Sequence, residues 1–153
     1  MTVTLRPVTR QEFSAVVAMA VAPGQEGFVA SNLRSLAQSA VEPEWTPLVI
    51  AAGEAGEELV GFAMFGHDEA SDQWWIIRFM IDAAQQGRGY GKAALRALLD
   101  LMVTRHGCRQ IYLGYEPDNV IAAQLYARAG FVPTGEVEDG EIVARLDLAA
   151  RQD

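Results

Sequence analysis

Hydrophobic positions along this chain follow two spacings, and each spacing predicts one kind of element. Apolar residues at every second position, or in short unbroken runs, predict strands, whereas apolar residues three or four positions apart predict helices. In chain order the pattern predicts a strand at 2–8, helices at 10–20 and 26–41, strands at 47–52, 58–68 and 72–82, a helix at 90–107, a strand at 109–115, a helix at 119–129, and strands at 131–137 and 141–148.

Local signals support these helices. Thr9 followed by Glu12 matches a capping box, and Gly107 and Gly130 are suited to end the helices that precede them. Two helices have core-facing apolar series, namely Phe28, Val29, Leu33, Leu36 and Ala40 in one, and Leu95, Leu98, Leu101 and Met102 in the other. The order βααβββαβαββ predicts an α/β fold, and 153 residues suit a single domain over 1–153.

Composition narrows the classes of function. The chain has 20 acidic and 12 basic residues, and its net charge of −8 disfavours binding to nucleic acid or to an anionic membrane. No apolar run reaches the roughly 20 residues that a membrane span needs, and the first residues lack a signal-peptide layout. The single cysteine, Cys108, fits a reducing compartment, so we expect a cytoplasmic protein. His67 and His106 lack metal-ligand partners, so we expect no metal.

The stretch QQGRGYG, at 85–91, joins a predicted strand to a predicted helix. Glycines at such a junction allow backbone N–H groups to approach a phosphate at the helix N-terminus. The stretch lacks the Gly-Lys-Ser/Thr ending of nucleoside triphosphatases, and it follows four strands rather than opening a dinucleotide-binding unit. What it contains is Q-x-x-G-x-G, which by itself fits an anion cradle or a plain turn.

A second motif, NVIAAQLYARAGF, lies on the next predicted helix. Asn119 and Tyr126 are seven positions apart, two helical turns, and therefore share one face of the helix. With Q-x-x-G-x-G followed by N-x-x-A-x-x-L-Y-x-x-x-G-F, and with the order βααβββαβαββ, the chain resembles the GCN5-related N-acetyltransferase (GNAT) superfamily. This resemblance implies a GNAT fold with a mixed, mostly antiparallel sheet, and acetyl transfer from acetyl-CoA to an amine.

Residues 28–50 and 74–98 carry a closer resemblance, to the bacterial spermine/spermidine acetyltransferases. The likeness runs over roughly residues 3 to 148, although the final hairpin is too generic to count. It implies a polyamine acceptor such as spermine or spermidine.

The superfamily resemblance assigns a group of residues to acetyl-CoA. Backbone amides at 86–91 and the start of the following helix would hold the pyrophosphate, a role given to Gln86, Gly87, Arg88, Gly89, Tyr90, Gly91 and Lys92. Arg88 and Lys92 are equally explained as solubilising surface cations. Met80 and Ile81 would pair through their backbone with the pantetheine arm, although apolar side chains there also suit a core strand. Asn119 would contact the same arm or serve as an ordinary helix N-cap.

Tyr126 matches the superfamily's general acid. A phenol with a pKa of about 10 can protonate a departing thiolate, and the alternative for Tyr126 is a core aromatic. The backbone N–H near Ile81 is the candidate oxyanion donor. Eukaryotic-type diamine acetyltransferases have an acidic pair on the strand before the loop, but here Ile77 and Arg78 occupy that segment and cannot act as the base.

The base and the acceptor site therefore need other residues. Glu26, Glu42 and Glu44 bracket the helix that usually shapes the acceptor site in this superfamily, and each is otherwise a solvated surface acid. Trp45 and Trp75, with Trp74, could wall an alkylammonium channel through cation–π contacts or belong to the core.

From these observations we predict an acetyl-CoA-dependent N-acetyltransferase in which a primary amine, best a polyamine, attacks bound acetyl-CoA directly. The alternatives are acetylation of an antibiotic, an amino acid or a protein N-terminus, and a binding module that senses acyl-CoA without turnover. We expect a small-molecule amine as partner, and neither nucleic acid nor membrane. The oligomeric state stays open, with a homodimer as one alternative.

Overall fold

The computed structural model describes residues 2–148. The strands are β1 (Val3–Pro7), β2 (Trp45–Ala52), β3 (Glu58–Asp68), β4 (Gln73–Ile81), β5 (Gln110–Tyr115), β6 (Val132–Glu138) and β7 (Glu141–Asp147). The α-helices are α1 (Phe13–Ala18), α2 (Asn32–Val41), α3 (Tyr90–His106) and α4 (Val120–Ala129). The strands form one sheet in the order β1-β2-β3-β4-β5-β7-β6, so the predicted α/β fold with a mixed sheet is confirmed.

All neighbouring strands are antiparallel except β4 and β5, which run parallel. This parallel pairing covers three residue pairs, from Trp74 with Ile111 to Ile76 with Leu113. At the same level the register between β3 and β4 shifts, because Phe65 pairs with Ile76 but Met64 pairs with Arg78, which leaves Ile77 as a bulge. A bulge bends its strand. Beyond Ile76, β4 and β5 are therefore no longer paired.

Two hydrophobic clusters lie on opposite faces of the sheet. Leu48 and Ile50 of β2 belong to the cluster that packs against α3 and α4, whereas Val49 belongs to the cluster that packs against α1 and α2. This division follows from the strand geometry, since successive side chains point to opposite faces. The predicted inward residues of α3 support it, because Leu95, Leu98 and Met102 are all buried in the first cluster.

The predicted continuous helix at 26–41 is wrong. A 3-10 turn at Glu26–Phe28 is followed by extended backbone at Val29, and α2 begins only at Asn32. The side chain of Ser31 caps α2 by accepting a hydrogen bond from the backbone of Arg34 at 3.1 Å, and such a cap defines a helix start. As a result α2 buries Asn32, while Leu33 is 54% exposed.

Other local predictions are confirmed with small shifts. The Glu12 carboxylate accepts hydrogen bonds from the hydroxyl and the backbone N–H of Thr9, and the first helical segment starts there as a 3-10 turn before α1. Gly107 and Gly130 end α3 and α4 in the left-handed conformation. No helix in the described part of the chain is long and apolar enough to cross a membrane.

Candidate active site

The separation of β4 from β5 opens a cleft of about 740 Å³. The second half of β4 lines one wall and the end of β5 lines the other. Residues from both faces of the sheet line this cleft, including Leu125 of α4 from one face and Phe28 from the segment before α2 on the other. Because backbone groups at the unpaired edge of β4 have no strand partner, they are available to a ligand.

The glycine loop closes one end of the cleft. Gly87 and Gly89 have φ values of 80° and 87°, a conformation that favours glycine, and Gly89 is the N-cap of α3. Gln86 does not extend toward solvent. Its side-chain amide donates to the backbone carbonyl of Ile81 and to the side chain of Gln25, both at 3.0 Å. The loop is thereby tied to the end of β4 and to the segment before α2.

The helix α4 presents both residues of the second motif to the same cleft. Asn119 caps α4, since its side-chain oxygen accepts a hydrogen bond from the backbone of Ala122 at 3.2 Å. The N-cap role foreseen for Asn119 is confirmed, and it leaves the amide NH₂ group of that side chain able to donate.

Tyr126 is 7% exposed, and its ring packs against Tyr115 and Phe131 at centroid distances of 5.8 and 5.9 Å. Its hydroxyl makes no hydrogen bond among residues 2–148, and because no buried side-chain N or O atom of that part of the chain lacks a partner, this hydroxyl is open to the cleft that the side chain lines. Burial raises the pKa of Tyr126 strongly, and the negative charge of Glu141 raises it further. The phenol is therefore protonated at neutral pH and able to donate.

Charged residues also line the cleft. We call three of its lining carboxylates the acid cluster: Glu116 after β5, Asp139 in the β6–β7 turn, and Glu141 at the start of β7. Arg34 and Arg78 line the same region. A cleft that is lined by several carboxylates can hold a cationic ligand.

Arg78 is hydrogen-bonded to side chains of α2. Its guanidinium donates to the hydroxyl of Ser35 at 3.1 Å, to the side chain of Gln38 at 3.0 Å and to the carbonyl of Ile77 at 2.7 Å. Burial lowers the pKa of Arg78, and the charge of Arg34 lowers it further. With its donors engaged in this way, Arg78 forms no ion pair with a carboxylate of the described chain.

Glu141 is a half-buried carboxylate that has neither a hydrogen-bond partner nor an ion pair within residues 2–148. Burial raises its pKa, and Glu116 raises it further, whereas Arg78 opposes the shift and Asp139 adds to it. A carboxylate in such surroundings is readier to accept a proton than one in water.

The structure brings most of the predicted cofactor residues together. Those that line the cleft are Met80, Ile81, Gln86, Gly87, Tyr90, Gly91 and Asn119, together with Tyr126. Arg88, Gly89 and Lys92 are exposed outside its lining. The cofactor and catalytic roles themselves stay predictions.

The predicted acceptor residues do not line the cleft. Glu42 accepts hydrogen bonds from the indole of Trp45 at 3.1 Å and from Gln38, and Glu26 accepts one from the backbone of Gly24. Glu44 is exposed, and Trp75 stacks on Tyr112 with the ring centroids 5.4 Å apart. The surroundings of these side chains are therefore accounted for without a ligand. The acid cluster, by contrast, lines the same cleft as Tyr126.

Sequence reasoning missed the acid cluster because nothing local distinguishes its members from other surface acids. One signal was available: Glu141 opens the last predicted strand, and Gly114 near the end of β5 leaves space beside it. Within residues 2–148 no group of three His, Cys, Asp or Glu side chains is arranged to hold a metal ion.

Comparison with known proteins decides the family. The model of the acetyltransferase (GNAT) family matches residues 13–131, most of the chain. The chain belongs to the GNAT acetyltransferase family. This GNAT protein is therefore an N-acetyltransferase with acetyl-CoA as its acyl donor, and the predicted family, fold and reaction class are confirmed.

Among its relatives is the spermine/spermidine N(1)-acetyltransferase of Bacillus subtilis (strain 168), 33% identical over 97% of this chain and 100% of the relative. The spermidine N-acetyltransferase of Vibrio cholerae, in complex with CoA and spermine, has a TM-score of 0.73 at 19% identity, covering 94% of this chain and 92% of that one. AAC(6')-Ib, in complex with ribostamycin and coenzyme A, has a TM-score of 0.79 at 20% identity, covering 99% and 97%. The two solved structures show a shared GNAT fold.

Proposed function

We propose that this GNAT enzyme transfers the acetyl group of acetyl-CoA to a primary amine of a polyamine such as spermine or spermidine. The observation that supports this best is the acid cluster, which lines the same cleft as the free hydroxyl of Tyr126. A polyamine has several positive charges, and carboxylates around the cleft can bind the distal ones. The B. subtilis relative, similar over its whole length, supports the same acceptor class.

The geometry of the cleft supports a division of roles. We propose that the backbone of Gly87, Tyr90 and Gly91 binds the pyrophosphate at the start of α3, where the helix dipole favours anions. Met80 and Ile81, at the unpaired end of β4, then contact the pantetheine arm, and Asn119 donates to it from the other wall. Tyr126 protonates the departing thiolate, for which a phenol with a buried ring and a free hydroxyl open to the cleft is suited.

One assay tests the acceptor class. Free-thiol release from acetyl-CoA should be measured over spermine, spermidine, a monoamine of similar pKa, amino acids and an aminoglycoside. We expect the highest kcat/KM with spermine or spermidine, and a smaller advantage over the monoamine at high salt, because exposed charge pairs are screened. Turnover of an amino acid or aminoglycoside with inert polyamines would reject the polyamine acceptor and retain the acetyltransferase.

The proposal also covers the cellular location and the oligomeric state of the protein. Cys108 is buried and free, which fits the reducing interior where acetyl-CoA is used, and a cytoplasmic location belongs to the proposal. A homodimer is also proposed, and sedimentation of the purified protein would test it. The alternative of a non-catalytic acyl-CoA sensor does not fit a member of the acetyltransferase family.

A further inference from the structure

Glu141 differs from the other carboxylates of the chain in its position. It lies at the start of β7, where the Gly114 position of β5 passes so close that a Cβ atom there would be 2.8 Å from Glu141 Oε1. The absence of a side chain at 114 thus makes room for the carboxylate at the edge of the cleft. The titratable groups around it come from four parts of the fold: Arg78 of β4, Glu116 after β5, Tyr126 of α4 and Asp139 of the β6–β7 turn.

A second observation, independent of the acids, points to a ligand at this place. Tyr126 is more than nine-tenths buried, and its side chain lines the cleft that Glu141 also lines. Its hydroxyl has no partner within residues 2–148 and is not one of the buried atoms there, so it is open to the cleft. The charge of Glu141 contributes to the raised pKa of Tyr126, which places the carboxylate within electrostatic reach of the phenol. An unoccupied donor and an unoccupied acceptor therefore face one cleft.

We infer that Glu141 is the proton acceptor of the reaction, the group that converts the bound alkylammonium into the nucleophilic free amine. This inference rests on the proposed transfer to an amine, although it does not require that the amine be a polyamine. Glu141 replaces the acidic residues that β4 lacks, where Ile77 and Arg78 stand. Glu141 also takes the role of base that the sequence suggested for Glu26, Glu42 and Glu44, none of which lines the cleft.

Two proton transfers to protein groups accompany the attack of the amine on the thioester. The carboxylate of Glu141 takes one proton from R–NH₃⁺, and the free amine attacks the carbonyl carbon of the thioester, forming the C–N bond. As the C–S bond breaks, the sulfur takes the phenolic proton of Tyr126. The phenolate then recovers a proton from the nitrogen of the new amide. Glu141 finally releases its proton to solvent, so the products are the thiol, the acetamide and one proton.

The surroundings of Glu141 lower the free-energy cost of deprotonating the ammonium group. Freeing an amine with a pKa of about 10 at pH 7 costs about 4 kcal/mol, because the free form is roughly one part in a thousand. A carboxylate whose pKa is raised by burial and by Glu116 approaches the amine more closely in proton affinity, which lowers the cost of the transfer. The opposed charge of Arg78 is held by α2 and does not neutralise Glu141 through an ion pair.

Glu141→Gln tests the inference because it keeps the shape and removes the proton acceptor. With Glu141 as base, the wild-type enzyme uses the ammonium form and its kcat/KM is flat between the pKa of Glu141 and that of the amine. The variant must capture the rare free amine, so its kcat/KM rises about tenfold per pH unit. We expect a deficit of roughly 10²-fold at pH 7 that shrinks about tenfold per unit and nearly vanishes by pH 9.

The matched control is Glu136→Gln, which removes an exposed acid of the same hairpin outside the cleft and should leave the profile unchanged. A coenzyme A thermal shift equal to that of wild type shows that Glu141→Gln retains the donor site. A deficit that stays constant with pH would assign Glu141 to charge binding and overturn the proton-acceptor role, as would an absent deficit.

Failure of the proposed function has a different signature. If wild type acetylates another amine but no polyamine, the polyamine assignment falls and the same pair of pH profiles, measured with that amine, decides the role of Glu141. If wild type binds coenzyme A but acetylates no amine of the panel, both the proposed function and the role of Glu141 are overturned.

Discussion

The carboxylate of Glu141 lies against the α-carbon of Gly114, on the neighbouring strand, with no space for a side chain between them. An alanine methyl at 114 would lie 2.8 Å from Oε1, so the flexible Glu141 side chain must move. This relationship links the backbone at position 114 to the geometry of the proposed base.

Gly114→Ala should lower kcat/KM by roughly 10- to 100-fold, because a displacement of about 1 Å in a reacting group has effects of this size. Thermal unfolding and the coenzyme A shift should change little. The double variant with Glu141→Gln provides the control, since Gly114→Ala should cost nothing further once the carboxylate is gone. Additive losses in the double variant would show that Gly114 acts by another route.

Glu141→Gln should stabilise the fold at neutral pH. A carboxyl whose pKa is raised in the folded state binds its proton more tightly there than in the unfolded chain, so folding stability falls as pH rises through these values. Glutamine removes that loss, as expected where function is traded against stability. Melting temperatures should be higher for the variant at pH 7 and should converge with those of wild type below about pH 4. A variant less stable at pH 7 would contradict the pKa direction.

Tyr126→Phe should lower turnover by about 10²-fold, the usual contribution of a general acid. The ring contacts with Tyr115 and Phe131 are retained, and the hydroxyl has no bond within residues 2–148, so the melting temperature should change little. Tyr112→Phe is the control, since that phenol lies outside the cleft. Equal turnover in Tyr126→Phe and wild type would make Tyr126 a packing residue.

Gly91→Ala should separate ligand binding from folding. A Cβ at 91 would make only ordinary contacts, at 3.9 Å from Ile81 and Leu125, and alanine is the better helix former by up to about 1 kcal/mol. The free protein should therefore melt at the same temperature or higher. If the loop binds the pyrophosphate, the methyl should reduce the shift produced by coenzyme A, which should exceed the shift produced by pantetheine. An unreduced shift would locate the pyrophosphate elsewhere.

Removing charge from the acid cluster should weaken polyamine binding, whereas removing charge from the acids that follow α2 should not. Glu116→Gln combined with Asp139→Asn should raise KM for spermine several-fold and leave KM for acetyl-CoA nearly unchanged. Glu42→Gln combined with Glu44→Gln removes the same charge outside the cleft and should have little effect. Steady-state kinetics at low and high salt measure both pairs, and a larger effect from the second pair would restore the residues predicted from the sequence.

Much of the fold could be predicted from the sequence because the relevant signals are local. The apolar run of β3 predicted Glu58–Asp68 with correct bounds, and Gly130 ended α4 as expected. Such signals depend on backbone preference and on side-chain spacing within a few residues. The same local reasoning failed at α2, where Ser31 caps the helix inside an apolar series that continues across it.

By itself the sequence determined the family, the fold and the position of the glycine loop before α3, since motifs and periodicity record them directly. Only the tertiary structure decided which carboxylates face the cleft. A surface glutamate has no local signature, and Glu141 reaches the cleft because β7 pairs with β5 at a glycine and because the bulge at Ile77 turns β4 away from β5. Both conditions depend on strands distant in the chain, whose pairing no single segment specifies.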